Sequence, residues 1–295
     1  MASPELQAMI AAKRANPYTP DKSVEALRAE SEAAAVGVEL PPGTRCEPVD
    51  ANGVPAQWIS APESLEDRVF LFIHGGGYYR GSADISRSIC AWIARCCRAR
   101  VLTIDYRLAP EHPFPAAIDD TYTAYGWLLS KGVDAKRIVV GGVSAGGGLT
   151  LALLLKLKAM GDPMPAAAVP MSAWADLLQT GASFVGKADE DPSISKPYLD
   201  RAAEKYLGSA DPRDPLASPL YGELGGLPPL LLQVGSAETL LDDSVEFARR
   251  AETAGVDVTL EEWPEMIHGW QMHPHLLPEA REAIEHIAQF CDRHY

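Results

Sequence analysis

The feature that most constrains this chain is a series of short apolar runs that alternate with longer stretches of helical character. Eight runs are candidate strands, at 44–49, 56–60, 69–73, 101–104, 138–141, 166–170, 229–234 and 256–261. Five stretches are candidate helices, at 83–98, 115–130, 145–160, 241–254 and 278–293. The middle runs are apolar at every position, which indicates strands buried on both faces. The alternation predicts an α/β fold, with a mostly parallel eight-stranded sheet and helices on both sides.

The two ends of this pattern are candidate sheet edges. Residues 44–60 hold two strands with no helix between them, so we expect an antiparallel hairpin at one edge. The last strand, at 256–261, is a candidate for an exposed edge at the other side of the sheet.

Two segments lie outside the alternation and are candidate cap elements. Residues 1–43 are helical in character with a proline break, and Thr19 before Pro20 is the candidate N-cap of the second helix. Residues 176–225 are rich in Asp, Pro, Ser and Gly and contain one helical piece. Insertions of this length are typical of lids or binding elements. We therefore expect a catalytic domain over 44–295, with 1–43 and 176–225 as its cap.

Composition and charge narrow the class of protein. The 295 residues are 47% hydrophobic and 22% charged, as in globular proteins, and the formal net charge of −14 disfavours nucleic acid and anionic membranes as partners. The adjacent pair Cys96 and Cys97, among five cysteines, suits free thiols in a reducing compartment. The first residues lack the pattern of a secretory signal, and no apolar stretch is long enough to span a membrane. We expect a cytoplasmic protein without metal or cofactor, because neither metal-ligand spacing nor a dinucleotide fingerprint is visible.

The first chemical motif is GVSAG at 142–146, directly after the strand at 138–141. A strand–turn–helix with serine at its apex is a nucleophile elbow, and it would expose the hydroxyl of Ser144 above the sheet. The helix that follows directs backbone N–H groups and its positive dipole end toward any nearby anion. The motif alone also fits a glycine-rich turn that packs a helix against a strand.

The second motif is HGGG at 74–77, just after the strand at 69–73. Successive glycines expose backbone N–H groups, which acyl transfer needs as donors to the negative oxygen of its tetrahedral intermediate. In the hydrolase pattern this loop provides one or two donors and Ala145 provides another. A flexible surface loop is the alternative. We interpret His74 as a residue that shapes the loop rather than as a catalytic base.

A serine nucleophile also needs a general base, and this architecture places that histidine last in the chain order Ser, acid, His. His268 is the candidate base, because it lies in a loop after the strand at 256–261 and before the last helix. The other histidines after Ser144 lie in loops that look exposed, or on or beyond the last helix; they are His273, His275, His286 and His294.

The acid is expected in the loop after the strand at 229–234. Glu238 comes first after the turn, so it lies nearest the carboxyl end of the strand. Asp242 and Asp243 are its rivals. They fall in the first turn of the following helix, where carboxylates often interact only with the helix dipole.

Together these segments resemble a known family. HGGGYYRGS at 74–82, DYRLAPEHPFPAAIDD at 105–120, GVSAGGG at 142–148, SAETLLDD at 236–243 and MIHGW at 266–270 occur in the order and spacing of the bacterial hormone-sensitive-lipase-like carboxylesterases. The chain is identified as a member of that family, within the α/β-hydrolase fold, from about residue 44 to its end.

The resemblance implies a role for each motif residue. It makes Ser144 the nucleophile, Glu238 the acid and His268 the base. Gly76, Gly77 and Ala145 look like the oxyanion-hole donors. The tract from Asp105 to Pro115, which contains Arg107 and Glu111, looks like a structural brace beside the site. Two departures are visible, since the family commonly has Asp or Thr where Val143 stands and Asp where Glu238 stands.

The expected substrate is an ester of short- to medium-chain acyl groups, bound in a modest pocket beneath the cap. Phe184 and Tyr206, with Met9 and Tyr18, are candidate lining residues of the cap. Tyr78 and Tyr79 follow the glycine loop and are candidate substrate contacts, although packing beneath the cap is an equally open interpretation.

The function expected is therefore a serine carboxylesterase, which forms an acyl-enzyme on Ser144 and has a small-molecule ester as its partner. An amide or formamide hydrolase with the same triad is the alternative within enzymes. A non-catalytic small-molecule receptor on this scaffold is disfavoured, because Ser144, Glu238 and His268 are all present. Members of the family are sometimes dimers through the last strand, so a homodimer is a further expectation.

Overall fold

One eight-stranded sheet organises the protein. The structure, a computed structural model, describes residues 2–17 and 22–295. In chain order the strands are β1 (Arg45–Asp50), β2 (Pro55–Ser60), β3 (Leu65–Ile73), β4 (Ala99–Ile104), β5 (Ile138–Val143), β6 (Ala167–Met171), β7 (Leu230–Gly235) and β8 (Val258–Trp263). Their order across the sheet is β1-β2-β4-β3-β5-β6-β7-β8. The prediction of eight strands is confirmed, with small shifts at the strand ends.

Six of the strands are parallel and two form the expected hairpin. β1 pairs antiparallel with β2, and β2 pairs antiparallel with β4, whereas β3 to β8 pair in parallel. Every residue of β5 is buried, because helices cover both faces of the sheet there. β1 and β8 are the two edges, as the sequence predicted.

Helices cover both faces of the sheet. In chain order the helices are α1 (Pro4–Ala15), α2 (Val24–Ala35), α3 (Arg87–Cys96), α4 (Ala116–Ser130), α5 (Ala145–Met160), α6 (Ser183–Gly186), α7 (Lys196–Leu207), α8 (Leu241–Thr253) and α9 (Pro278–Asp292). Short 3₁₀ turns lie at Ala135–Arg137, Pro219–Tyr221 and Trp270–Met272. α3 and α9 pack together on one face of the sheet, and α4, α5 and α8 pack on the other. Within the described ranges, none of these helices combines the length and the apolar character needed to cross a membrane.

The first two helices each begin at a serine N-cap. Ser3 accepts a hydrogen bond from the N–H of Leu6 at the start of α1, and Ser23 accepts one from Ala26 at the start of α2. The expected N-cap at Thr19 lies outside the described residues, as does Tyr18. α2 ends at Ala35, and Gly37 follows with a φ of 80°.

α1 and α2 are attached to the loops that carry the motifs. Leu6 of α1 is fully buried in a cluster with Met266, Ile267 and Trp270, the residues around His268. Arg28 of α2 donates to the carbonyl oxygen of Tyr79 at 2.8 Å, just after the glycine loop. These contacts hold the N-terminal helices over the carboxyl ends of the strands.

Candidate active site

Ser144 occupies a tight turn between β5 and α5. Its φ of 59° and ψ of −119° lie in a region that non-glycine residues rarely adopt, which typically costs about 1–3 kcal/mol. Its N–H donates to the carbonyl oxygen of Met171 on the neighbouring strand β6 at 2.9 Å. The turn presents the serine side chain at the carboxyl edge of the sheet.

The glycines on either side of this serine are required by sterics. A Cβ atom at Gly146 would lie 2.1 Å from the carbonyl oxygen of Ile73, and one at Gly142 would lie 2.5 Å from the carbonyl oxygen of Gly146. These neighbours are backbone atoms that cannot move aside without disturbing β3 or α5. The G-x-S-x-G pattern therefore follows from the close approach of strand, turn and helix.

His268 and Glu238 lie in the loops after β8 and β7 and are hydrogen-bonded to each other. Nδ1 of His268 lies 2.9 Å from Oε2 of Glu238. Because a carboxylate accepts, Nδ1 carries the proton and Nε2 is left with its lone pair. The side chain of Glu238 is fully buried, and that of His268 is 8% exposed.

Two further donors hold the carboxylate of Glu238. Oε1 of Glu238 accepts a hydrogen bond from the hydroxyl of Ser172 and another from the N–H of Gly235, each at 2.7 Å. Ser172 lies just after β6 and has a φ of 44°. Sequence reasoning missed Ser172. The signal that could have found it is its place at the end of β6, beside the strand that leads to Glu238.

Ser144 and His268 line one cavity of about 300 Å³. The glycine loop borders the same cavity through Gly75 and Gly76. Gly77 and Ala145 do not line it themselves, but each directly follows in sequence a residue that does. The structure thus gathers the serine, the histidine and the glycine loop around one space, with Glu238 behind the histidine.

The predicted oxyanion donors are available for hydrogen bonding. Among the described residues, the N–H groups of Gly76, Gly77 and Ala145 have no acceptor. The N–H of Ala145 also begins α5, where the helix dipole favours negative charge. A carbonyl oxygen that becomes negative near Ser144 could accept from such groups.

His74 supports the glycine loop from the side. Its Nδ1 donates to the carbonyl oxygen of Gly75 at 2.8 Å, and its ring stacks on Tyr106 with centroids 4.1 Å apart. Burial lowers the pKa of His74 to about 4, so the ring is neutral at pH 7. These contacts agree with the interpretation of His74 as a residue that shapes the loop.

The rival acids hold a different part of the structure. Oδ2 of Asp243 accepts the N–H groups of Ala175 and Asp176 at 2.8 and 2.9 Å, and burial raises the pKa of Asp243. Oδ2 of Asp242 accepts the N–H of Ser183 at 2.9 Å. Both carboxylates therefore fasten the segment after β6.

Two of the other late histidines have hydrogen-bond partners away from Glu238, whereas His273 lines the same cavity as Ser144. Nδ1 of His275 lies 3.1 Å from the hydroxyl of Ser88, and Nδ1 of His286 lies 2.9 Å from Oε1 of Glu261. Burial lowers the pKa of His273 to about 3, with further contributions from Lys13 and His275.

The aromatic residues expected to contact substrate require a correction. The structure buries all four side chains away from the cavity walls; they are Tyr78, Tyr79, Phe184 and Tyr206. The rings of Tyr78 and Tyr206 stack with centroids 3.7 Å apart. All four side chains belong to one hydrophobic core cluster, and this packing keeps them from the cavity. At Tyr78, the ring enters the core from a backbone with a φ of 64°. The packing alternative fits the structure for Tyr78 and Tyr79.

The cavity walls instead combine small, aliphatic and cationic residues with a tyrosine and histidines. They include Lys13 from α1, Ser31 and Ala34 from α2, Arg80 after the glycine loop, and Ser193, Ile194 and Tyr198 from the insertion. Sequence reasoning missed these residues. Lys13 carried a signal, since it follows Leu6, Met9 and Ile10 at helical spacing and so shares their buried face.

The tract expected to brace the site does so through polar contacts. Asp105 accepts the N–H of Ala83 at 2.7 Å, and Glu111 pairs with Arg28 of α2 at 2.7 Å. Arg107 pairs with Asp120 at 2.7 Å. In the ranges the structure describes, we find no group of three or more His, Cys, Asp or Glu side chains arranged to hold a metal ion.

Comparisons with known proteins agree on the fold and family. A family model described as an alpha/beta hydrolase fold matches residues 70–272. An acetyl-hydrolase of Streptomyces hygroscopicus is 42% identical over 293 residues, which are 98% of this chain and 97% of that protein. An esterase of Acinetobacter venetianus is 38% identical over 85% of this chain and 82% of that protein.

Solved structures of esterases are also similar to this chain. A crystal structure of an esterase from the bacterial hormone-sensitive lipase family is 47% identical, with a TM-score of 0.96 over 100% of this chain and 99% of that one. The esterase EstE5 is 40% identical, with a TM-score of 0.96 over 99% of both chains. Fold and site therefore define this protein as an α/β hydrolase. Within that class, the chain belongs to the bacterial hormone-sensitive-lipase-like esterases.

Proposed function

We propose that this protein is a carboxylesterase in which Ser144 is the nucleophile, His268 the general base and Glu238 the acid that orients it. The observation that carries the proposal is the 2.9 Å contact between Nδ1 of His268 and Oε2 of Glu238, at the edge of the cavity that Ser144 lines. This contact fixes the imidazole tautomer with a proton acceptor at Nε2.

The reaction follows from these roles. The hydroxyl of Ser144 attacks the ester carbonyl while Nε2 of His268 takes its proton, and a tetrahedral intermediate forms. The C–O bond to the alcohol then breaks, and His268 gives its proton to the departing oxygen. Water attacks the acyl-enzyme with the same base, which releases the acid and regenerates Ser144.

The proposed oxyanion donors are the N–H groups of Gly76, Gly77 and Ala145. Their availability supports this assignment, since each lies in or next to the loop and turn that border Ser144. Loss of one such donor typically lowers the rate by about 10²–10³-fold.

The proposed substrates are esters with short to medium acyl chains. A cavity of about 300 Å³ lies at the small end of the range for ligand pockets, which supports this size class. Residues 1–43 and 176–225 are proposed as the cap that closes over the acyl group. A cytoplasmic location and a homodimer through β8 stay predictions.

The decisive experiment compares matched ester and amide substrates over a series of acyl lengths. We expect the ester to be hydrolysed faster than the amide of the same acid, with the best rate on a short chain. Ser144→Ala should remain folded and lose nearly all activity. Faster turnover of the amide would favour an amide hydrolase, and best activity on long, emulsified esters would contradict the size class.

A further inference from the structure

The charge of the active-site cavity is opposite to that of the whole protein. The chain carries a formal net charge of −14. Two cations, Lys13 and Arg80, nevertheless line the cavity of about 300 Å³ that holds Ser144 and His268. The described residues that line this cavity include no aspartate or glutamate.

Lys13 occupies a position where an apolar residue would be expected. Leu6, Met9 and Ile10 place one face of α1 against the loop that carries His268, and Lys13 continues that face one turn further. Among the described residues, its ammonium group has no hydrogen bond and no contacting ion pair. A charged group that is removed from water without an opposite charge beside it raises the free energy of the folded state. An anionic ligand that pairs with Lys13 would offset this desolvation penalty.

One carboxylate acts electrostatically on Lys13. Asp191 attracts Lys13 electrostatically and opposes the lowering of the Lys13 pKa that burial causes. Its oxygens, however, accept the N–H groups of Ser193 and Thr239, both at 2.9 Å. Asp191 keeps its negative charge, but among the described residues no ion pair joins it to Lys13, so it compensates Lys13 only from a distance.

Polar groups from the insertion complete this part of the wall. The hydroxyl of Ser193 is buried and has no hydrogen-bond partner among the described residues. The guanidinium group of Arg80 donates to the hydroxyl of Tyr198 at 3.3 Å. Lys13, Arg80 and Ser193 thus bring polar groups to the cavity wall from three separate segments, and hydrogen bonds from cationic groups to a carboxylate are among the strong ones.

A second cavity meets the inner one at the same lysine. This cavity of about 740 Å³ shares Lys13, Met272 and His273 with the inner cavity. Its own acidic residues do not neutralise Lys13, because Asp84 pairs with Arg87 at 2.7 Å and Glu32 is exposed. Lys13 is therefore the cation at the junction between the two cavities.

We infer that Lys13, with Arg80 and Ser193, forms a subsite for a carboxylate carried by the ester substrate. This inference rests on the proposed esterase function and adds the substrate class, which is an ester whose acyl or alcohol part bears a second, anionic carboxylate. The ion pair between Lys13 and the substrate's carboxylate stabilises the bound substrate. The preference for a carboxylate-bearing ester should therefore be seen in kcat/KM.

The test uses two pairs of esters of nearly equal size, followed by titration of the acid released. Monomethyl glutarate is paired with neutral methyl 5-oxohexanoate, and 3-acetoxypropanoate with neutral 4-acetoxy-2-butanone. We expect the carboxylate member of at least one pair to have a kcat/KM about tenfold higher. Equal or better turnover of the neutral member in both pairs would overturn the inference.

Variants of α1 locate the effect. Lys13→Met should reduce the preference for the carboxylate by about tenfold, and Lys13→Arg should largely preserve it. Arg14→Met removes the adjacent exposed cation and should keep the wild-type ratio. An unchanged ratio in Lys13→Met, with its fold confirmed by circular dichroism, would contradict the role of Lys13.

A binding measurement separates this inference from the proposed function. Glutarate should raise the melting temperature of the wild-type protein more than that of Lys13→Met. If neither pair of esters is hydrolysed, the proposed function fails while this comparison still decides the subsite. If neutral esters are hydrolysed and glutarate stabilises both proteins equally, the esterase stands and the subsite fails.

Discussion

Oε2 of Glu238 lies 2.9 Å from Nδ1 of His268, while Oε1 of the same carboxylate accepts from Ser172 and Gly235 at 2.7 Å each. The carboxylate is thus fixed by donors from three other loops or strand ends. An imidazole oriented by such a group keeps Nε2 as its proton acceptor, which is the state a general base requires.

Replacement of Glu238 tests whether its carboxylate orients the imidazole of His268 for catalysis. Glu238→Gln keeps the size of the side chain but removes the charge and allows its amide to present a donor to Nδ1. We expect kcat on a short ester to fall by about 10³-fold or more, as when a triad carboxylate is made an amide. Steady-state kinetics measure the effect.

The control for this variant is Asp242→Asn. Asp242 accepts from the N–H of Ser183 and does not contact His268. We expect its kcat to stay near that of the wild type. A larger loss in Asp242→Asn than in Glu238→Gln would identify Asp242 as the acid instead.

Ser172 should contribute to catalysis through Glu238. Ser172→Ala removes the hydroxyl that donates to Oε1 at 2.7 Å in a buried environment. We expect the free energy of unfolding to fall by about 1.5–3 kcal/mol, since the lost hydrogen bond involves a charged group, and kcat to fall several-fold. Urea unfolding and steady-state kinetics on the same preparation test both effects.

A buried serine away from the site provides the comparison. Ser218 accepts from the N–H of Leu177 at 2.9 Å, so Ser218→Ala also loses a buried hydrogen bond. It should lower stability without lowering kcat. If Ser172→Ala behaves in the same way, the contact of Ser172 with Glu238 has no part in catalysis.

His74 should make the protein less stable in acid. Burial lowers its pKa from 6.5 to about 4 in the folded state. Above pH 6.5 the ring is neutral in both the folded and the unfolded chain, so it adds no pH dependence there. As pH falls from 6.5 toward 4, only the unfolded chain takes up the proton, and stability is lost. The two pKa values correspond to a loss of at most about 3 kcal/mol.

Urea unfolding at pH 7 and pH 4.5 measures this contribution. His74→Asn should be less stable than the wild type at pH 7, because it loses the stack on Tyr106, yet it should lose less stability on acidification. His112→Asn, at an exposed histidine, is the matched control for the loss of an imidazole. Equal slopes for His74→Asn and the wild type would show that His74 does not titrate in this way.

The strands were predictable because burial on both faces favours an apolar composition, which is complete in β5 and interrupted only by Gln233 in β7. The positions of Ser144, Glu238 and His268 were predictable for a related reason. Each follows a strand of a parallel sheet, and the carboxyl ends of such strands lie at one edge. The order of the strands needed the coordinates, since β4 lies between β2 and β3.

The walls of the cavity were not predictable, because they depend on side-chain direction. Tyr78 follows the glycine loop in sequence, but a backbone with a φ of 64° accompanies a ring stacked on Tyr206 instead of one lining the cavity. Lys13 was overlooked because a lysine on a surface helix usually points to solvent. Only the packing of α1 against the His268 loop places it beside the site.

Covalent labelling with a serine-reactive phosphonate, followed by peptide mapping, tests the central claim most directly. We expect one modified residue, Ser144, with no labelling in Ser144→Ala and much slower labelling in His268→Ala. A receptor on this scaffold would not react. Stoichiometric modification of a different serine, or labelling of the wild type that does not slow when His268 is removed, would contradict the account.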